Sequence, residues 1–140
     1  MADVTVVSKS KSPSAPKDDI DSKFYWDGLR RHVLLVQSCV DCRRIRFPPM
    51  PCCPFCSSPK FEVTQASGRG KVYSWIVVRR AFDAAFIDQV PYVLATVDLD
   101  EGARLVGRIE GDGEVNFDAG VSARFFDHPD WTELRFQIDD

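Results

Sequence analysis

Two short stretches decide the fold: Cys39-Val40-Asp41-Cys42 and Cys53-Pro54-Phe55-Cys56. Two residues between cysteines let both sulfurs of one turn reach a single ion at about 2.3 Å, and two such turns close a tetrahedral site. Pro54 stiffens the second turn. Five cysteines in a chain with no export signal point to metal or catalysis rather than to a disulfide framework. A redox reading of either CxxC is weaker, because no βαβ pattern surrounds it and the pairs number two. The spacing therefore predicts one zinc ion on Cys39, Cys42, Cys53 and Cys56, structural because four thiolates leave no open position. Cys52 could ligate in place of Cys53, but Cys-Pro-x-Cys gives the tighter turn, which leaves Cys52 as a spare thiol.

Outward from the cysteines, Val33-Leu34-Leu35-Val36 reads as a strand entering the first pair and Phe61-Glu62-Val63-Thr64 as one leaving the second. Upstream, a helix begins at Asp21 or Ser22 as N-cap. Ile20, Phe24, Tyr25 and Leu29 share one side of it, and Arg30 and Arg31 suit the negative end of its dipole. Residues 1–17, rich in Ser, Lys, Pro and Ala, read as a disordered tail. That gives a tail over 1–17, a helix over 18–32 and a ribbon over 33–68, with Gly68-Arg69-Gly70 as the joint to a domain over 69–140.

The last segment is all β. Strands are expected at Val72–Val78, Tyr92–Leu99, Ala103–Ile109, Val121–Phe126 and Thr132–Ile138. Asp100-Glu101-Gly102 is a hairpin signal, and His128-Pro129-Asp130 turns the chain into the last strand. Five strands in such a length match a small OB-type barrel, and other five-stranded barrels fit the same pattern. The long connection over 79–90 carries Phe82 and Phe86.

Charge narrows the function. Residues 1–70 carry 11 Lys+Arg and 7 Asp+Glu, whereas residues 71–140 carry 7 and 14. An acidic barrel half repels polyanions, so binding of single-stranded nucleic acid, a common use of ribbons and OB barrels, is the alternative rather than the leading reading. No apolar run approaches the roughly 20 residues of a membrane span, and the expected location is the cytoplasm. His32 and His128 have no nucleophile or carboxylate at a recognisable motif spacing, so independent catalysis is not expected. The two modules also look short of core on their own, which suggests surface reserved for a partner.

From about Phe24 to Phe136 the chain resembles the domain-of-unknown-function 35 family of zinc-ribbon/OB-fold proteins. The resemblance is carried by Phe24-Tyr25-Trp26-Asp27-Gly28-Leu29-Arg30, Leu34-Leu35-Val36-Gln37-Ser38-Cys39, Phe47-Pro48-Pro49 and the second cysteine pair. Ser67-Gly68-Arg69-Gly70-Lys71-Val72-Tyr73-Ser74 and Val90-Pro91-Tyr92 add to it. It implies a mainly β protein with an N-terminal helix, a rubredoxin-like zinc ribbon and a C-terminal five-stranded OB-fold barrel. It further implies a non-catalytic subunit that binds a thiolase-fold enzyme and helps complete its acyl-CoA site. In some members the partner condenses acyl-CoA or cleaves CoA thioesters by retro-aldol chemistry, steroid side chains included. Arg43, Arg44 and Arg46 suit the phosphates of CoA, because guanidinium groups make bidentate charge-assisted bonds. Phe24, Tyr25, Phe82 and Phe86 are the expected partner or acyl contacts. Arg43 and Ser57 stand where the family has glycine after each cysteine pair, which predicts left-handed backbone held by side-chained residues. His32 likewise stands where a small turn residue is common.

Overall fold

A computed structural model describes residues 12–140. The expected tail lies, for residues 1–11, outside the described residues. Residues 12–19 carry no helix or strand, and the Pro13 carbonyl accepts a hydrogen bond from Trp131 Nε1 at 3.1 Å.

Helix α1 spans Lys23–Arg30. Ser22 occupies its N-cap position without a side-chain cap bond. Instead the Asp19 carboxylate accepts from the Ser22 N–H (2.8 Å) and hydroxyl (2.8 Å). These bonds hold the Asp19 carboxyl below its usual range. At the other end Val33 N–H donates to Gly28 O (2.9 Å) and His32 N–H to Leu29 O (2.8 Å). That is a Schellman closure, and it places His32 at φ 59°. A glycine would take this conformation at no steric cost. His32 uses its side chain here: Nε2 lies 3.0 Å from both Asp127 oxygens, and the ring stacks on Phe125 at 5.2 Å. The end of α1 is thereby tied to the barrel. Gly28 sits mid-helix because a Cβ there would come within 2.9 Å of Leu35 Cδ1.

The buried side of α1 is Tyr25 and Leu29. Tyr25 packs edge-on against Phe47 and Trp26. Ile20, expected on this face, is corrected: it lies ahead of the helix and is 94% exposed.

The ribbon is a three-stranded antiparallel sheet in the order β2-β1-β3, with β1 at Leu35–Cys39, β2 at Ile45–Arg46 and β3 at Phe61–Gln65. The barrel that follows contains β4 (Arg69–Val78), β5 (Tyr92–Leu99), β6 (Arg104–Glu110), β7 (Gly120–Asp127) and β8 (Thr132–Ile138). It closes in the order β4-β5-β6-β8-β7, with β6 and β8 parallel and the other pairs antiparallel. The 79–90 connection holds one 3-10 turn, Ala84–Phe86, capped by Asp83 Oδ1 accepting from Ala85 N–H at 2.8 Å.

One contiguous core joins the modules. Tyr25, Leu29, Leu34, Val36 and Ala66 belong to the same buried cluster as Val72, Val97, Leu105, Val121 and Phe136. At the barrel's lower edge, His128 Nε2 lies 2.8 Å from Glu133 Oε1, which also accepts from Arg135 Nη2 at 3.0 Å. Burial raises the Glu133 carboxyl, but the bonds from Arg135 and His128 outweigh it and hold the group below its usual range. A carboxylate with a depressed folded value stabilises the fold above its unfolded value, and that contribution is lost as pH falls through the folded one. We expect wild type to lose stability in acid faster than Glu133→Gln once pH drops below about 4.5. Parallel acid-melting curves by circular dichroism would contradict this.

Candidate metal centre

The two cysteine turns are built alike. In the first, Cys39 N–H donates to Arg44 O (2.9 Å) and Arg43 N–H to Cys39 O (3.0 Å); in the second, Cys53 N–H donates to Ser58 O (2.8 Å) and Ser57 N–H to Cys53 O (2.8 Å). Arg43 and Ser57 both have φ 68°. The left-handed backbone expected at these two positions is present, and each residue bears the cost that glycine would avoid. Amide hydrogens also point at sulfur: Cys42 N–H lies 3.5 Å from Cys39 Sγ, and Phe55 N–H 3.4 Å from Cys53 Sγ.

The sulfurs of Cys39, Cys42, Cys53 and Cys56 all lie within 4.8 Å of one another. Cys39 and Cys56 are 3.5 Å apart, and Cys42 and Cys53 3.6 Å. Those separations are too long for disulfides. They approach the edge of about 3.8 Å expected for a tetrahedron with Zn–S bonds of about 2.3 Å. Burial raises the Cys53 thiol, yet the backbone N–H groups of Cys56 and Phe55 and the neighbouring thiols bring it down to about 6. Cys56 goes the other way. Against the lowering pull of the Ser58 N–H, desolvation and hydrogen bonds to the other three sulfurs push it up to about 12. Four like charges cannot gather unaided, and a dication removes that conflict. The donor set fits zinc. Cys52 is exposed and outside the group of four.

The arginines part company. Arg43 and Arg44 are exposed, with the Arg44 guanidinium 4.6 Å over the Phe55 ring. Arg46 is corrected as a phosphate ligand, because it is only 2% exposed. Its Nε donates to Gln37 Oε1 (2.9 Å) and its Nη2 to Met50 O (3.3 Å), while Gln37 Nε2 donates to Met50 O (3.1 Å). Met50 N–H returns to Gln37 Oε1 at 2.9 Å. This network pins the loop between the two cysteine turns onto β1 and β2. We expect Arg46→Ala to cost about 2–3 kcal/mol, since two bonds from a charged donor and the packing of its guanidinium over Phe61 are lost; chemical denaturation measures it. A loss within error of Arg43→Ala would show that the network contributes nothing.

Tyr25 is corrected too: it is buried at 6% exposure and serves the core, not a partner. Phe24 is half-buried, 6.3 Å from Phe61. Phe82 is 88% exposed, and Phe86 is half-buried beside Tyr92 at 5.9 Å. The structure does not gather these phenylalanines and the two exposed arginines into one pocket with the cysteines.

A helix-led four-cysteine ribbon in front of a five-stranded OB barrel defines the zinc-ribbon/OB-fold class of proteins. Residues 26–62 match the family model of the ChsH2 rubredoxin-like zinc ribbon domain, and residues 63–126 that of the ChsH2 C-terminal OB-fold domain. A solved structure titled Ltp2-ChsH2(DUF35) aldolase superposes with a TM-score of 0.80 at 33% identity, covering 89% of this chain and 98% of that one. The benzoylsuccinyl-CoA thiolase subunit BbsA of Thauera aromatica is 30% identical over 82% of this chain and 88% of its own. A probable enoyl-CoA hydratase alpha subunit of Thermomonospora curvata is 36% identical over 84% of this chain, which spans about a third (35%) of that relative's length. The chain belongs to the ChsH2-type DUF35 family. Its cysteine cluster is a structural zinc site.

Proposed function

We propose that this chain is a non-catalytic accessory subunit that binds a thiolase-fold enzyme and helps complete its acyl-CoA site. The observation that carries the reading is the likeness over most of both chains to a protein named as a CoA-thiolase subunit. The side chains agree with it. His32 and His128 are each committed to a carboxylate, Asp127 and Glu133, in contacts that tie elements of the fold together. The cysteine cluster has no open position for a reactant. Arg43 and Arg44, exposed beside the ribbon, are the groups assigned to CoA phosphates, and Phe24, Phe82 and Phe86 to partner or acyl contact. The partner reaction is carbon–carbon bond formation or retro-aldol cleavage on a CoA thioester.

The test is co-expression with a candidate thiolase-fold enzyme, followed by size-exclusion chromatography and an assay with a panel of CoA thioesters that includes steroid side chains. The two chains are expected to elute together in a fixed ratio. Arg43→Glu with Arg44→Glu should raise KM for the thioester about tenfold, the effect of about 1.4 kcal/mol, with assembly intact. A chain that elutes as a monomer in the presence of every candidate enzyme would overturn the reading.

A further inference from the structure

β4 pairs with β5 from Gly70 opposite Leu99 to Val78 opposite Tyr92, with Tyr73 left out of the register. Its other edge pairs with β7 only through Arg69, Gly70 and Lys71. The last backbone bonds on that side are Val72 N–H to Ala119 O and Asp118 N–H to Val72 O, both 2.9 Å. A bulge between Val72 and Ser74, in the pairing with β5, follows directly where the contact with β7 ends. Tyr73–Val78 thus presents an edge with no strand partner among the described residues. Tyr73, Ile76 and Val77 on it are exposed, Ile76 at 61%. Free apolar edges of this kind attract a further strand unless charge or proline blocks them. None of residues 73–78 is charged or proline.

The ends of the edge say what fits. Exposed Lys71 lies at one end and exposed Arg79 and Arg80 at the other. Two copies paired antiparallel about the middle of Tyr73–Val78 would set Lys71 of each beside Arg80 of the other, and like charges placed opposite one another oppose pairing. The chain's own Val4-Thr5-Val6-Val7 has an acidic residue, Asp3, on one side only and runs on into Lys9 and Lys11, which meet the same repulsion at the other end.

We propose that the free edge of β4, Tyr73–Val78, is a docking site for an extended strand of a different protein, apolar in the middle and acidic at both ends. This builds on the accessory-subunit reading by naming where the partner enzyme attaches. Main-chain bonds would supply the affinity, as in strand addition to other open sheets, and the terminal charges the choice of partner.

A short synthetic peptide of alternating valine and threonine with aspartates at both ends tests the edge on the full chain. It is expected to bind and to slow amide exchange within Tyr73–Val78. Binding should weaken about tenfold or more in Arg79→Glu/Arg80→Glu, a loss of about 1.4 kcal/mol. It should vanish when the peptide backbone is N-methylated. Both arginines are exposed, so the variant should keep its fold and zinc, checked by circular dichroism and metal content. Equal binding of a lysine-ended or N-methylated peptide, or protection elsewhere in the chain, would overturn the proposal. So would undiminished co-elution of Ile76→Lys and Arg79→Glu/Arg80→Glu chains with an enzyme that co-elutes with wild type, although the accessory role would then stand. If no enzyme co-elutes with wild type, the accessory role fails while the peptide still decides the edge.

Discussion

Cys39→Ser is expected to leave the chain without its metal and the ribbon without its fold, whereas Cys52→Ser changes neither. The ribbon sheet runs only from Leu35 to Gln65, below the roughly 40 residues at which a domain normally holds without metal or disulfide. Its side chains cannot make up the shortfall, since most of β3 faces solvent. A structural zinc ion supplies about 10–16 kcal/mol in comparable small modules, and that binding energy is folding energy. Elemental analysis should find one zinc per wild-type chain and per Cys52→Ser chain, and none in Cys39→Ser. Amide exchange across 35–65 should rise towards that of an unfolded chain in Cys39→Ser and after chelation of wild type. One zinc per chain in Cys39→Ser, with ribbon amides still protected, would remove the basis for the tetrad.

The second large effect is expected at Phe136. Its side chain is fully buried at the barrel centre, and β6 passes over it at Gly107, where an added Cβ would stand 2.6 Å from Phe136 Cδ2. The glycine and the ring fill one space between them. Phe136→Ala should cost about 3–5 kcal/mol, transfer and cavity terms together. Gly107→Ala should also destabilise, by overpacking of about 1–3 kcal/mol. The pair is the sharper test: Gly107→Ala combined with Phe136→Leu should cost less than the two separate losses added, because the smaller side chain vacates what the new methyl needs. Strict additivity in urea melts would show that the two positions do not share the space.

Much of this was legible in the chain itself. The cysteine spacing identified the ligand cluster because two-residue turns force sulfurs together wherever they occur. Four of the five barrel strands stand within a residue or two of their expected limits, since alternating burial leaves a period-two record. β4 is the exception at its start. Gly68-Arg69-Gly70 reads as a joint, yet Gly70 lies inside the strand, where a Cβ would come within 2.5 Å of Asp98 O. A glycine kept for close approach looks like a breaker until the neighbouring strand is in view. β2 was invisible for a different reason: Ile45–Arg46 is two residues long, preceded by Arg43 and Arg44 and followed by Phe47-Pro48-Pro49. Arg46 was misjudged with it, because only the pairing of Gln37 with Arg46 across β1 and β2 reveals where its guanidinium goes. Left-handed backbone at Arg43 and Ser57, in contrast, was implied by the resemblance to a family that has glycine at both places, and is present.

The continuous interior that joins helix, ribbon and barrel means that loaded protein should melt in a single calorimetric transition. Leu34, Val36 and Ala66 belong to the same buried cluster as Val72 and Val121. Thiol oxidation or metal starvation at one end of the molecule would therefore be felt as a lower melting temperature at the other, and a subunit damaged in this way would declare itself before it could be built into an assembly.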